Sequence, residues 1–322
     1  MNKKSIRLEI YVFYFMKVLI ILASYNGEKY VKEQLDSILS QEAVQVHIMV
    51  FDDVSKDATV EIVNSFKDDE RINLIVNDFP TGSAANNFLG AIKYLDKDFI
   101  KKYDYVSFAD QDDIWLPRKI ISAVEMLTNE KASLYLSNLI LWDEKTNKKS
   151  LIKKCYPPKK YDFLFEGGSA GCTYVFTSKF AADLKIYLNK VDYNNWKFFS
   201  HDWFIYFFAR INNYKISIDS NAFILYRIHA DNVHGQLNTS SVYAIKERLR
   251  LIKAGWYFKQ IKGFLKLVPE DSEYRKIYYL YSKNYFTRLF VVFRYNFQLM
   301  RSKNKMIQFA ILSLLPIKIE KK

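Results

Sequence analysis

The sequence predicts an α/β protein built on a mostly parallel sheet flanked by helices, with a helical appendage at its C-terminal end. Three observations carry that expectation. Short apolar runs alternate with helical patterns through the first half of the chain, the signature of βαβ units. Each of the first four apolar runs ends in polar, mostly acidic residues, as strands do where they leave a sheet toward a ligand. With 322 residues, half of them apolar, the chain is long enough to bury one large core and an appendage.

Lys17 to Ser24 is apolar at nearly every position and reads as a buried strand. Beyond Gly27, the residues Val31, Leu35, Ile38 and Leu39 recur at helical spacing and define one face of an amphipathic helix. Val46 to Phe51 is a second strand, and Ala58 to Phe66 a second helix for which Ser55 is the candidate cap. Asn73 to Val76 is a third strand, followed by a helix from about Ala84 to Leu95. Tyr105 to Ala109 is a fourth strand that runs straight into Asp110, Gln111, Asp112 and Asp113. A helix is then expected near Leu116-Pro117, where proline suits the first turn and Asp113 is a candidate cap. The second half is less regular. It holds strand-like Leu134 to Leu141, glycine-rich Gly167-Gly168-Ser169-Ala170-Gly171 before another strand, an aromatic helical segment around Asp202, and strand-like Ala222 to Ile228. Helical patterns dominate from about Ser240.

The net charge of +13 is unevenly placed. Residues 1–239 hold 30 Lys and Arg against 30 Asp and Glu, whereas residues 240–322 hold 18 against 5, so a neutral body carries a basic tail. No recognised nucleic-acid-binding module accompanies that charge, which argues against a nucleic-acid partner. Two cysteines, Cys155 and Cys172, cannot build a disulfide framework, and zinc-type spacings are missing, which fits a reducing cytoplasm. The longest apolar run, Ile10 to Ala23, is interrupted by Lys17 and falls short of the roughly 20 residues that span a bilayer. The expected organisation is a lead over residues 1–16, a catalytic domain over 17–239 and a basic, aromatic helical region over 240–322. The pair Met16-Lys17 directly precedes the first strand, so translation starting at Met16 is the alternative for the lead.

Ligands of open α/β sheets sit beyond the carboxyl ends of the strands. Here those positions are Ser24-Tyr25-Asn26-Gly27, Asp52-Asp53, Asn77-Asp78 and Asp110 to Asp113. The last places three carboxylates within four residues, where mutual repulsion favours protonation unless a cation or hydrogen-bond donors compensate. Oxygen ligands of this kind suit a hard divalent cation, Mg²⁺ or Mn²⁺.

The segments ILASYNGEKYVKEQLDSILSQ, FDDVSKDAT, SFADQDDIWLPRKI, SHDWF and YRIHADNVHG, in that order, resemble glycosyltransferase family 2 with the GT-A fold. Within it the chain looks most like bacterial rhamnosyltransferase-type enzymes of surface polysaccharide synthesis. The resemblance implies an inverting transfer of a sugar from a nucleotide diphosphate carrier, of UDP or dTDP type, to a saccharide acceptor that is lipid-linked. It implies that Ala23, Ser24, Tyr25 and Asp52 hold the nucleoside, with Asp52 accepting the pyrimidine N–H and Tyr25 stacking on base or ribose. Asp112 becomes the principal metal ligand, Asp110 a ribose or metal contact, and His229 a further metal or diphosphate ligand; Arg227 suits the phosphates. Asp202 matches the position of the base that deprotonates the acceptor, with Trp203 as an aromatic surface for the acceptor sugar and Gly168 and Gly171 approaching it through backbone amides. Val54 departs from the family pattern, which has glycine there, and disfavours a turn with positive φ.

The basic tail combines positive charge with apolar stretches such as Leu289 to Phe293 and Ile311 to Leu315. This composition predicts a peripheral contact with an anionic membrane surface, on the inner face of the cell membrane. Packing of these helices on the catalytic body, or on a second copy in a homo-oligomer, is the alternative. A nucleotidyltransferase would share the clustered aspartates, but it calls for a Gly-rich, Lys/Arg-bearing loop after the first strand, where this chain has Ser24-Tyr25-Asn26-Gly27-Glu28. A non-catalytic sugar-binding or membrane assembly protein is the rival outside enzymes.

Overall fold

The computed structural model describes residues 16–196, 199–228, 250 and 255–314. Two compact units emerge. Of the described residues, 16–155, 169–191 and 208–227 form the first, and those within 156–168, 192–207 and 228–314 form the second.

The first unit is a sheet with helices. Strand β1 (Lys17–Ser24) is fully buried from Val18 to Leu22. A strand apolar on both faces must be covered on both, which is what a central parallel strand achieves. Helix α1 (Val31–Leu39) leads to β2 (Gln45–Asp52), α2 (Thr59–Asn64) to β3 (Ile72–Val76), and α3 (Ala84–Tyr94) with the short α4 (Lys97–Ile100) to β4 (Tyr105–Asp110). These four strands are parallel, in the order β3, β2, β1, β4. Beyond β4 the sheet turns mixed. Strand β5 (Ile114–Trp115) and helix α5 (Lys119–Glu130) precede β6 (Leu134–Asp143), β7 (Lys148–Ile152) and β8 (Val175–Thr177). Helices α6 (Ser178–Leu188) and α7 (His201–Ile211) then lead to β9 (Ile216–Arg227). Strand β8 joins β4 and β6 antiparallel, and β9 runs parallel to β6 and antiparallel to β5.

The α/β expectation holds, with local differences. Helix α2 is shorter than expected and starts after Ala58, because Ser55 bonds Asp52 instead of capping it. Helix α5 begins at Lys119 with Arg118 at its N-cap, so Asp113 caps nothing there. Strand β9 starts at Ile216, six residues before the apolar run that announces it, because Asp219 inside it is buried and accepts the Tyr135 hydroxyl at 2.8 Å.

The second unit contains helices α8 (Trp256–Leu265), α9 (Glu273–Lys283), α10 (Tyr285–Tyr295) and α11 (Lys303–Ser313), joined by the segment 156–168 and the start of α7. Its core is aromatic: Trp203 packs on Trp256 and Phe264, and Phe165 on Tyr281 and Phe309. Arg301, buried, pairs with Asp162 and Glu166 at 3.5 and 3.4 Å, which ties the loop segment to the C-terminal helices. Gly167 allows a close approach here, since a Cβ would lie 3.1 Å from the Trp203 Cα and the backbone would have to give way by a few tenths of an ångström.

Val54 adopts φ +63° despite its branched side chain. The left-handed region costs a non-glycine residue about 1–2 kcal/mol, and the bonds that Asp52 and Asp53 make on either side hold it there. Val54→Gly relieves that strain but loosens the unfolded chain by about 0.4–1 kcal/mol. The expected net effect is a gain of about 0.5–1 kcal/mol in urea unfolding.

Candidate active site

Parallel pairing in register places the loops of β1, β2 and β4 at one edge. Ser24 lies opposite Asp52, and Ala23 opposite Asp110. The loops are then stitched together. Ser24 Oγ donates to Asp52 Oδ2 at 2.8 Å, and the Ser55 amide and hydroxyl donate to the same carboxylate at 2.8 and 2.6 Å. Asn26 N–H donates to Ser55 Oγ, and Gly27 N–H to Thr59 Oγ1. Gln111 clamps the first loop to the acidic one: its Oε1 accepts Tyr25 N–H at 2.8 Å and its Nε2 donates to Tyr25 O at 2.9 Å. A Cβ on Gly27 would sit 2.2 Å from Gln111 Oε1, so the glycine makes room for this clamp.

The acidic loop runs from the end of β4 to β5, and the pairing of β5 with β9 anchors its far end. One ligand atom each of Asp110, Asp113 and Cys172 lie within 4.8 Å of one another. Asp113 is 1% exposed, and neither carboxylate oxygen has a well-formed hydrogen bond. Burial, then the charges of Asp112 and Asp110, push its carboxyl well above the usual range; the Cys172 thiol and the Arg227 backbone amide face it closely enough to offset this only slightly. Burial, then the charges of Asp113 and Asp110, push the Cys172 thiol up as well, which keeps it protonated. Lys119 lies buried nearby, its Nζ donating to Ser107 Oγ at 3.0 Å and standing 3.5 Å above the Trp115 ring. Burial lowers its ammonium to about 7, against the pull of Cys172 and Asp113.

Arg227, at the end of β9, is fully buried and its guanidinium is engaged on all sides. It stacks between the Tyr30 and Trp142 rings at 4.5 and 4.7 Å, pairs with Glu33 at 2.5 Å and with Glu144, and donates through Nε to the Asp112 carbonyl at 3.1 Å. The fork expected to meet a phosphate instead holds the acidic loop in place.

The other expected site residues fall as follows. Tyr25 is 53% exposed beside the loops, open to a stacking partner, whereas Asp52 is fully buried and already accepts three donors. Asp112 and Asp110 are half-buried, and Gly171 opens the short turn that carries Cys172. Asp202 and Trp203 occupy the first turn of α7, in the second unit. Asp202 Oδ1 accepts the Ser200 hydroxyl and Trp203 N–H. Trp203 is no open surface for a sugar: it is 3% exposed and its indole N–H donates to Phe163 O at 2.8 Å. Gly168 is buried too. His229 lies outside the described residues. Sequence reasoning passed over Lys119, Glu33 and Glu144 as parts of this edge, since each gains its meaning only from pairing distant in the chain.

Fold and loop together are those of an α/β enzyme that takes its ligand at the carboxyl ends of parallel strands. The family model described as glycosyl transferase family 2 matches residues 19–214, and the chain belongs to that family. It is 35% identical over 253 residues to dTDP-rhamnosyl transferase RfbG of Shigella flexneri, covering 78% of this chain and 86% of that one. A second relative, the UDP-Glc:alpha-D-GlcNAc-diphosphoundecaprenol beta-1,3-glucosyltransferase WfgD of Escherichia coli, is 33% identical over 48% of this chain and 57% of its own. Among solved structures, S. aureus TarS 1-349 in complex with UDP matches with a TM-score of 0.55 and 16% identity, covering 93% of this chain and 89% of that one. The mannosyltransferase PcManGT of Pyrobaculum calidifontis in complex with GDP-Man and Mn²⁺ matches with a TM-score of 0.52 and 13% identity, over 92% and 80%. These structural likenesses establish the GT-A-like α/β fold, and the chain is a rhamnosyltransferase-like glycosyltransferase.

Two outcomes follow from the site's charges. Arg227→Met frees Glu33 and Glu144 to meet water, at an expected cost of about 2 kcal/mol from lost stacking. The pair Glu33→Gln with Glu144→Gln removes the charges that balance a buried guanidinium; because both carboxylates are half-exposed, the expected cost in the same urea titration is about 1.5–3 kcal/mol. Lys119 titrates at about 7 in the folded protein and near 10.5 unfolded, so the folded state binds fewer protons between those values. Its burial penalty is fully in place below about pH 7 and is relieved as pH rises toward 10.5. Stability relative to Lys119→Met should therefore climb from pH 7 to 9, by up to about 1.4 kcal/mol per pH unit, and stay flat below pH 6.5.

Proposed function

We propose that this enzyme is an inverting, metal-dependent glycosyltransferase that moves a sugar, with rhamnose the candidate, from a UDP- or dTDP-type nucleotide sugar to a lipid-linked saccharide during cell-surface polysaccharide synthesis. The observation that carries the reading is the in-register edge of β1, β2 and β4, where Tyr25 stays open beside a cluster of carboxylates containing the orphaned Asp113. Its similarity to a dTDP-rhamnosyl transferase supports the donor, and its similarity to an enzyme named for a diphosphoundecaprenol substrate supports the acceptor.

Asp113, a buried carboxylate whose oxygens lack a well-formed hydrogen bond, lies beside the half-buried Asp110, and such an oxygen site suits a divalent cation, Mg²⁺ or Mn²⁺. Asp110 and Asp113 would hold it through oxygen, with Asp112 as a further ligand and His229 a candidate; the protonated, soft Cys172 is a poor ligand for either ion. When bound, the cation supplies charge neutralisation of the diphosphate leaving group. The Tyr25 ring stacks on the base or ribose. Asp52 shapes the nucleoside pocket, and reaching the base N–H would require it to release a serine donor. Asp202 serves as the base: it takes the proton of the acceptor hydroxyl as that oxygen bonds to the anomeric carbon, while the bond from that carbon to the diphosphate oxygen breaks with its electron pair. Inversion follows from the single displacement. The proposed station is peripheral, on the inner face of the cell membrane; no helix among the described residues is long and apolar enough to cross a membrane.

Thermal unfolding with UDP, dTDP, GDP and their sugars, with and without Mn²⁺, tests this. Stabilisation by a pyrimidine nucleotide is expected only with metal, and Asp110→Asn and Asp113→Asn should abolish it. Asp202→Asn should keep the stabilisation but lower kcat by about 10²–10⁴ in a transfer assay. A protein that no nucleotide stabilises in the presence of Mn²⁺ would falsify the reading.

A further inference from the structure

Helix α10 is apolar on two opposite faces. Its inner side buries Val291 and Val292. Its outer side carries Phe286 and Phe293, 79 and 70% exposed, with Phe290 at 55% and Phe297, just past the helix, at 47%. The spacing i, i+4, i+7 sets Phe286, Phe290 and Phe293 in one row; the helix ends at Tyr295 and Asn296 takes φ +38°, so Phe297 belongs to the turn that follows. Helix α11 repeats the arrangement, burying Met306 and Phe309 while Ile307, Ile311 and Leu314 stand exposed. Exposed phenylalanine in such a row is not the ordinary scatter of surface apolar residues and marks a face that meets something apolar.

Charge decides what it meets. From Lys283 to Leu314 the chain has six Lys and Arg and no Asp or Glu. Arg288 and Arg301 are buried and Lys305 pairs with Glu166, so Lys283, Arg294 and Lys303 carry the remaining exposed charge of this stretch. A second copy docking on this face by two-fold symmetry would set these cations against their own kind. An anionic lipid surface instead offers hydrocarbon to the rings and headgroup charge to the cations.

We propose that the Phe286, Phe290 and Phe293 row of α10 is a membrane-insertion ridge, which seats the second unit in the interface of an anionic bilayer with Lys283, Arg294 and Lys303 at headgroup level. This deepens the peripheral membrane station proposed above and rests on it. The ridge lies flat, and insertion reaches the boundary of headgroups and acyl chains, about 5–10 Å deep.

Flotation of the full chain with vesicles of phosphatidylglycerol and phosphatidylcholine, against phosphatidylcholine alone, tests it. Wild type is expected to float with the anionic vesicles at about 0.1 M salt, where screening is still partial, and to be released in part at 1 M. Phe290→Ser with Phe293→Ser should weaken partition at least tenfold, and Phe293→Ser alone by a smaller factor. Arg294→Gln with Lys303→Gln should remove most of the salt dependence. Nucleotide stabilisation, measured on the same samples, should be unchanged in every variant, which shows that they are folded. The proposal is overturned if wild type stays unbound, if the phenylalanine variants float like wild type, or if sedimentation finds a dimer that those variants dissociate. A wild type that takes nucleotide but does not float defeats the ridge alone; one that floats without any nucleotide response defeats the transferase reading alone.

Discussion

The parallel register of β1 between β2 and β4 is the constraint on which the candidate site depends. Because β1 is buried on both faces and laddered to a strand on each side, a one-residue slip would have to break both ladders and exchange its two packed faces. That fixed register aligns Ser24 with Asp52 and Ala23 with Asp110, so loops far apart in sequence leave the sheet side by side. Each then supplies what the next lacks. Ser24 gives Asp52 a donor, Gln111 supplies both a donor and an acceptor to the Tyr25 backbone, and Gly27 leaves the space in which Gln111 lies.

The second half of the first unit acts on the same edge from the other side. The short β5 needs a partner to hold the acidic loop, and β9 supplies it with Ile224 and Leu225 before ending in Arg227. That arginine reaches the carbonyl of Asp112, while its charge is balanced by Glu33 on α1 and Glu144 beyond β6. One side chain thus couples three separate segments to the position of the loop. A buried guanidinium tolerates this because two aromatic faces and two carboxylates replace its water.

Much of the fold was legible in the residues. The strands β1 to β4 and their helices follow from apolar runs and helical spacing, since local pattern and global burial agree there. The acidic loop was legible as a cluster, but its internal order was not. Asp113 looked like a helix cap because Leu116-Pro117 reads as a helix start; the helix begins at Lys119, and Asp113 turns inward toward Asp110 and Cys172. Arg227 looked like a phosphate ligand because a strand-end arginine is usually solvated, and nothing local announces Tyr30, Trp142, Glu33 and Glu144 around it. Trp203 looked like a sugar platform because it follows Asp202, yet its partners Trp256 and Phe264 arrive from more than 50 residues later. In each case the missing information was a contact across the chain, which spacing does not encode.

The charges near the acidic loop also bear on how an anionic donor could approach it. Lys119 is buried on the Trp115 ring and bonded to Ser107, and Arg227 is enclosed by its carboxylates and rings. Both cations are therefore engaged in the architecture. A diphosphate brought to Asp110, Asp112 and Asp113 would add like charge to a cluster in which burial, and then the neighbouring carboxylates, already push the Asp113 carboxyl well above the usual range. A divalent cation reverses that balance: it gives the buried Asp113 the partner it lacks and turns three repelling carboxylates into a seat for phosphate. On the proposed reading, metal and donor bind as one electrostatic unit, and the cluster's unfavourable charge in the apo protein is what couples them.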